Sequence, residues 1–167
     1  MADARIVSAA ELRRAFDKSF AEPERRGGEA SERFLAIAIA GIPYALRLSE
    51  LLVLAAARKI VPLPDARAEL LGLTGHRGTL VPVFDLGALL GHEPIAQPRW
   101  LVLCGARDPV GLAFGELEEQ IEIAPSAVSP LAPGRERRHV AAVLEGAPAR
   151  AVIDVASVLA VISQVEP

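Results

Sequence analysis

Residues Arg77 to Gly91 read RGTLVPVFDLGALLG, and they fix the local plan of the chain. Arg77-Gly78 is a tight-turn dipeptide, Leu80 to Phe84 an apolar run with a proline inside it, and Asp85 the start of a short helical pattern. Much of this returns near the end as AVIDVASVL, Ala151 to Leu159, with Asp154 in the place of Asp85. Two further echoes accompany it. RFL at Arg33 to Leu35 matches RWL at Arg99 to Leu101, and Tyr44 to Leu51 matches Val110 to Leu117, both offset by 66 residues. The aspartates are 69 apart. A unit repeated once accounts for all three.

Working outward, the flanking segments read as short strands. Leu35, Ile37 and Ile39 alternate with alanines, which is the period of a strand with two distinct faces. Gly41-Ile42-Pro43 turns the chain, and Tyr44 to Leu48 returns. Ser49 is placed to cap a helical segment reaching Leu54. Ile60 to Leu63 reads as a strand that Pro62 confines to an edge, and Leu70 to Leu73 leads into the Gly75-His76-Arg77-Gly78 turn. Asp85 is an N-cap for Leu86 to Leu90, its carboxylate accepting from Gly87 or Ala88, and Gly91 stops that helix. The second copy runs Trp100 to Cys104, turns at Arg107-Asp108-Pro109, and returns as Val110 to Phe114. Ile121 to Ala124 adds a strand, Pro125 to Arg138 a loop, and His139 to Leu144 with Ala149 to Val155 a hairpin. Val158, Leu159 and Ile162 close the chain as a helix after Asp154. Many short strands with frequent turns indicate small barrels or a sandwich, and duplication favours two barrels.

Residues 1–32 differ in kind. Ser8 to Glu11 forms a capping box, and Leu12, Phe16 and Phe20 lie on one stripe of a helix, followed by a polar linker from Glu22 to Glu32. That stripe either docks on the chain's own domain or binds a partner. The expected organisation is an N-terminal helix and linker (1–32), a main domain (33–160, first lobe about 33–91, second about 99–160) and a tail (161–167).

Composition narrows the function. The 167 residues are 51% hydrophobic but only 4% aromatic, with a net charge of −3. No basic surface for nucleic acid or anionic lipid follows from that balance. The longest uncharged apolar run, Phe34 to Leu46, is 13 residues and holds Gly41 and Pro43; a bilayer span needs about 20. Neither a secretory leader nor a disulfide is expected, Cys104 being the sole cysteine. Cytoplasmic localisation follows as the expectation, without membrane insertion.

Nothing in the sequence points to catalysis. His76, His92 and His139 are scattered without metal-ligand spacing, and nucleophile-elbow and phosphate-loop motifs are absent. Cys104 reads as an inert buried thiol. Asp85 and Asp154, at equivalent places in the two copies, read as helix caps rather than an acid–base pair. Arg77 stays open between a solvated side chain and a guanidinium offered to a partner.

Around that turn the chain resembles a known family. Leu71 to Leu86, LGLTGHRGTLVPVFDL, is similar to the signature G-x-x-N-L-R-G-x-x-[VL]-P-V-x-D-L of CheW-like coupling proteins. The likeness extends to Phe34-Leu35 with Tyr44-Ala45, to Ile60 to Pro64, and to Val110-Gly111-Leu112, covering about 33–160. The resemblance implies a mainly β fold of two SH3-like five-stranded barrels packed around a shared groove, with short helices and the extra N-terminal helix. It implies an adaptor, not an enzyme and without cofactor or metal, that bridges a CheA-type histidine kinase regulatory domain and the cytoplasmic tip of a methyl-accepting chemoreceptor. By position it places Leu51, Val53, Arg77 and Gly78, with Gly111, Leu112 and Leu117, on the receptor groove, and Leu48 with its strand edge on the kinase face. Four positions depart from the family pattern. Gly75-His76 replaces Asn-Leu, Val53 stands where an acidic partner of the arginine is usual, and Gly115 replaces an aspartate. A divergent adaptor that no longer binds one of its two partners is one reading; the alternative is a barrel protein that binds a single dedicated partner through its N-terminal helix.

Overall fold

The computed structural model describes residues 30–56, 59–64, 67–134 and 137–164. The expected N-terminal helix lies outside them. Among the described residues eleven strands form two sheets. One is five-stranded, in the order β3-β6-β7-β5-β4: β3 (Leu51–Ala56), β4 (Leu70–His76), β5 (Thr79–Asp85), β6 (Trp100–Cys104) and β7 (Val110–Phe114). The other is six-stranded, in the order β8-β1-β2-β11-β10-β9: β1 (Glu32–Ile39), β2 (Ile42–Arg47), β8 (Glu116–Ile123), β9 (Val128–Pro130), β10 (Val140–Leu144) and β11 (Arg150–Ile153). Helix α1 (Leu86–Leu89) follows β5, and α2 (Val155–Ser163) follows β11.

The repeat is real, but the sheets divide the chain differently from lobes at 33–91 and 99–160. The five-stranded sheet uses one continuous stretch, β3 to β7. The other joins β1 and β2 to β8–β11. Pairings correspond one for one: hairpin β1·β2 with β6·β7, parallel pair β2·β11 with β7·β5, hairpin β10·β11 with β4·β5, and β1·β8 with β6·β3. The second unit is therefore a circular permutation of the first, with one sheet inserted into the other. Val152 lies opposite Ala45 as Val83 lies opposite Gly111. The RFL/RWL echo is one residue out of step: Leu35 pairs with Leu46, whereas the strand position equivalent to it, opposite Leu112, is Val102. A one-residue slip reverses the face, and indeed Leu35 and Leu101 point into different cores.

Three cores result. Phe34, Ala45, Ala142, Leu144 and Val152 fill the six-stranded sheet; Val81, Val83, Leu101, Leu103 and Ala113 fill the five-stranded one. Between the sheets lies the largest, including Ile37, Tyr44, Leu46, Leu86, Val102, Leu112, Phe114 and Val158. Strands β1, β2, β6 and β7 thus bury both faces, one on their own sheet's core and one on the shared core. That is why their alternating residues are alanine, glycine or a second aliphatic rather than polar groups.

Both caps form as expected. Asp85 accepts from Gly87 and Ala88 at 2.8 and 3.2 Å, and Asp154 accepts from Ser157 at 3.0 Å. Other local expectations are corrected. The first hairpin turns one residue early, on Ala40-Gly41 with φ of 50° and 74°, and Pro43 lies within β2. Ser49 caps nothing: Leu48–Glu50 is a single 3-10 turn, and Leu51–Ala56 is a strand because its residues pair with β6. Of Ile60 to Leu63, only Val61 pairs, with Leu73. Pro125 to Arg138 contains the short strand β9, and α2 extends beyond residue 160, so 161–163 are helix rather than tail.

Candidate protein-binding site

The register of β4 and β5 pairs His76 with Thr79 and leaves Arg77-Gly78 as a two-residue turn. Such a turn matches the twist of its strands only when both central residues have positive φ. Arg77 has φ 48° and Gly78 φ 81°. Glycine adopts that conformation freely, but a residue with a Cβ gives up roughly 1–2 kcal/mol there. The chain therefore holds an arginine where asparagine or glycine would be more stable. The Arg77 side chain is exposed, and the ion pairs among the described residues, Arg47–Glu32 and Arg150–Glu118, do not involve it. The hairpin tip is thus strained and carries an exposed guanidinium with no ion pair among the described residues.

Beside this tip the five-stranded sheet curls until its two edges, β3 and β4, approach. Val53 and Ala55 from β3, Thr74, Gly75 and His76 from β4, and Leu101 and Leu103 from β6 line a shallow, largely apolar depression. Thr74 donates to the Lys59 carbonyl at 3.2 Å across that seam. Leu80, opposite Gly75 in the hairpin, is 69% exposed, and Leu52, Leu54, Val61 and Leu63 are exposed as well. Edge strand β8 is blunted by Glu116, Glu118, Glu119 and Glu122, whereas β3, LLVLAA, has no charge, proline or glycine to deter a partner.

The structure thus gathers Val53 and the Arg77-Gly78 turn on one sheet. Leu51, Gly111 and Leu112 lie on that same sheet and Leu117 on the other, but none of these four is exposed. Leu112 is 0% exposed and belongs to the shared core, so its side chain contacts no partner. Gly111 is buried inside the five-stranded sheet, where an added Cβ would meet Leu101 Cδ1 at 2.9 Å and Val83 Cγ2 at 3.1 Å. Leu51 and Leu117 occupy equivalent places and pack, half-buried, on the margin of the shared core. The seam between the sheets is accordingly filled by the protein's own side chains. It opens in a hollow lined among others by Ile39, Gly87, Ile95, Phe114 and Gly115. Leu48 sits apart in the 3-10 crossover from β2 to β3, beside a polar hollow with Glu32, Arg33, Ser49 and Gln120. Sequence reading missed Leu80, Leu52 and Leu54. Leu80 had a signal: in β5 it falls on the phase opposite to the core residues Val81 and Val83.

The model of the CheW-like domain matches residues 33–163. The chain belongs to the CheW-like family. Its fold is similar to that of the scaffolding protein TtCheW from Thermoanaerobacter tengcongensis, with a TM-score of 0.66 at 17% identity, over 74% of this chain and 88% of that one. A search of curated proteins by sequence finds no match.

Within this CheW-like domain two departures have a local physical reason. Val53 faces Leu101 and Leu103, an apolar surround in which a carboxylate would be costly to bury. At Gly115 a Cβ would stand 3.0 Å from Ile95 Cδ1, so the Ile95 side chain in the linker between α1 and β6 would have to give way slightly to a larger residue. The linker is tied down by Asp85, whose Oδ2 accepts from the Ile95 amide at 2.6 Å, and by His92, whose Nε2 lies 2.8 Å from the Tyr44 hydroxyl. Burial pushes the Cys104 thiol up to about 12, with Glu50 adding to the shift, which leaves it protonated and inert at neutral pH. Glu50 itself is raised by burial, against Arg47 and helped by Asp154 and Glu32.

Proposed function

We propose that the protein is a non-catalytic adaptor, joining the cytoplasmic tip of a chemoreceptor to the regulatory domain of a CheA-type histidine kinase in a chemosensory or motility pathway. Family membership supports the coupling role, and the carrying observation is Arg77, held in a strained conformation at an exposed hairpin tip that also carries the exposed Leu80. Exposed leucines with one directing cation suit an amphipathic receptor helix. Arg77, Gly78 and Val53, with Leu52, Leu54 and Leu80, form the receptor contact in this reading. Gly111, Leu112, Leu51 and Leu117 hold the sheets that present it. Leu48 and its crossover form the kinase face. A cytoplasmic location fits these partners, and among the described residues no helix is long and apolar enough to cross a membrane.

Titration of a purified receptor cytoplasmic fragment tests the assignment. Arg77→Glu should weaken binding at least about tenfold and leave Tm nearly unchanged. Arg77→Asn should raise Tm slightly, because asparagine tolerates the left-handed turn, and still lose affinity. Undiminished binding by both variants would remove Arg77 from the site.

A further inference from the structure

His139 is nine-tenths buried at the start of β10, in a left-handed conformation with φ 57°. Its carbonyl accepts the Asp154 amide at 2.8 Å, and its Nδ1 lies 2.7 Å from Ser157 Oγ. The Ser157 amide in turn donates to Asp154 Oδ1. Backbone and ring of one residue thus hold the first turn of α2. That helix places Val155 and Val158 in the shared core and packs Leu159 and Ile162 against it. The His139 Nε2, however, is buried without a partner.

We propose that His139 is a proton-operated latch: neutral, it fastens α2 over the core between the two sheets; protonated, it leaves its buried place and α2 lifts away. A neutral ring satisfies Ser157 with Nδ1 and leaves Nε2 only weakly in debt. The charged ring carries two N–H donors, and the one on Nε2 has no acceptor, so a buried ion is left unpaired. Among the described residues two charged groups act on the ring. Arg138, its chain neighbour, opposes protonation, while Asp154 at the head of α2 favours it but is already engaged by the Ser157 amide. Glu50 lies beyond, acting on Asp154. Burial first, then Arg138, holds the imidazole below its ordinary value of 6.5, against Asp154. The sign follows. Above that value open and closed forms bind no proton and the latch is fully closed; below it the open form gains a proton that the closed form refuses, and opening is favoured.

Hydrogen exchange on the full chain tests the latch, following the amides of Val155–Ser163 at about pH 7.5 and about pH 5.5 after correction for intrinsic exchange. The opening constant should rise several-fold in acid, bounded at about tenfold one unit below the ordinary imidazole value. His139→Asn, which accepts the left-handed backbone and does not titrate, should abolish the rise; His92→Gln should keep it. In the unaltered protein the His139 ring resonances should titrate below 6.5. An unchanged opening constant, an undiminished rise in His139→Asn, loss of the rise in His92→Gln, or a ring titrating at or above the ordinary value would each overturn the latch.

Discussion

Gly72→Ala should destabilise the protein by about 3 kcal/mol or more, lowering Tm by about 10 °C. Gly72 has φ 140°, and an added Cβ would fall 2.1 Å from the Val61 carbonyl oxygen and 2.9 Å from Pro62 Cα. These are backbone atoms that no rotamer change moves aside. They belong to the segment that crosses over β4, where Val61 and Leu73 exchange hydrogen bonds at 2.8 and 2.9 Å. To admit a methyl group, that segment must detach from the edge of the five-stranded sheet. Gly75→Ala is the matched control, since nothing lies within 4 Å of its Cβ; its effect should stay within about 1 kcal/mol. Thermal melts of the two variants check this, and equal shifts would contradict it.

Asp85→Ala should cost about 3–4 kcal/mol, and Asp154→Ala only about 1 kcal/mol, although sequence makes the two equivalent. Asp85 is 1% exposed and accepts three amides: Gly87 and Ala88 on Oδ1, Ile95 on Oδ2. Its removal strands those donors and frees the linker that packs over Gly115. Asp154 is partly buried and accepts only from Ser157 among the described residues. Denaturant titrations of the two variants measure the difference; similar losses would show that the linker tether contributes nothing.

Local chemistry was readable where one residue type decides the geometry. Asp85 and Asp154 as caps, Gly91 as a stop, and the Arg77-Gly78 turn follow from side-chain and dihedral demands acting over a few residues. Strands β6 and β7 were equally plain. What stayed hidden depends on partners far along the chain. Leu51–Ala56 carries leucines and alanines that suit a helix, and only pairing with β6 makes it a strand. The permuted repeat was invisible for the same reason: an offset of 66 residues says that two hairpins are alike, not which sheet each enters. The residues that the family resemblance assigns to a groove do not share one exposed surface. Leu112 and Gly111 sit on a strand whose two faces are both covered, and sequence alternation cannot tell a strand with one exposed face from such a strand when the small residues are glycine and alanine. Leu80 shows the converse, a leucine on the outer phase of β5 that the apolar run concealed.

Coupling itself is the central claim, and a bridging assay tests it most directly. Receptor cytoplasmic fragment is immobilised, and kinase regulatory domain is offered with and without this protein, each on the order of tens of micromolar. Retention of the kinase domain only when the protein is present, and its loss with Arg77→Glu, is the result expected. Failure of the protein to bind either partner at those concentrations would contradict the account.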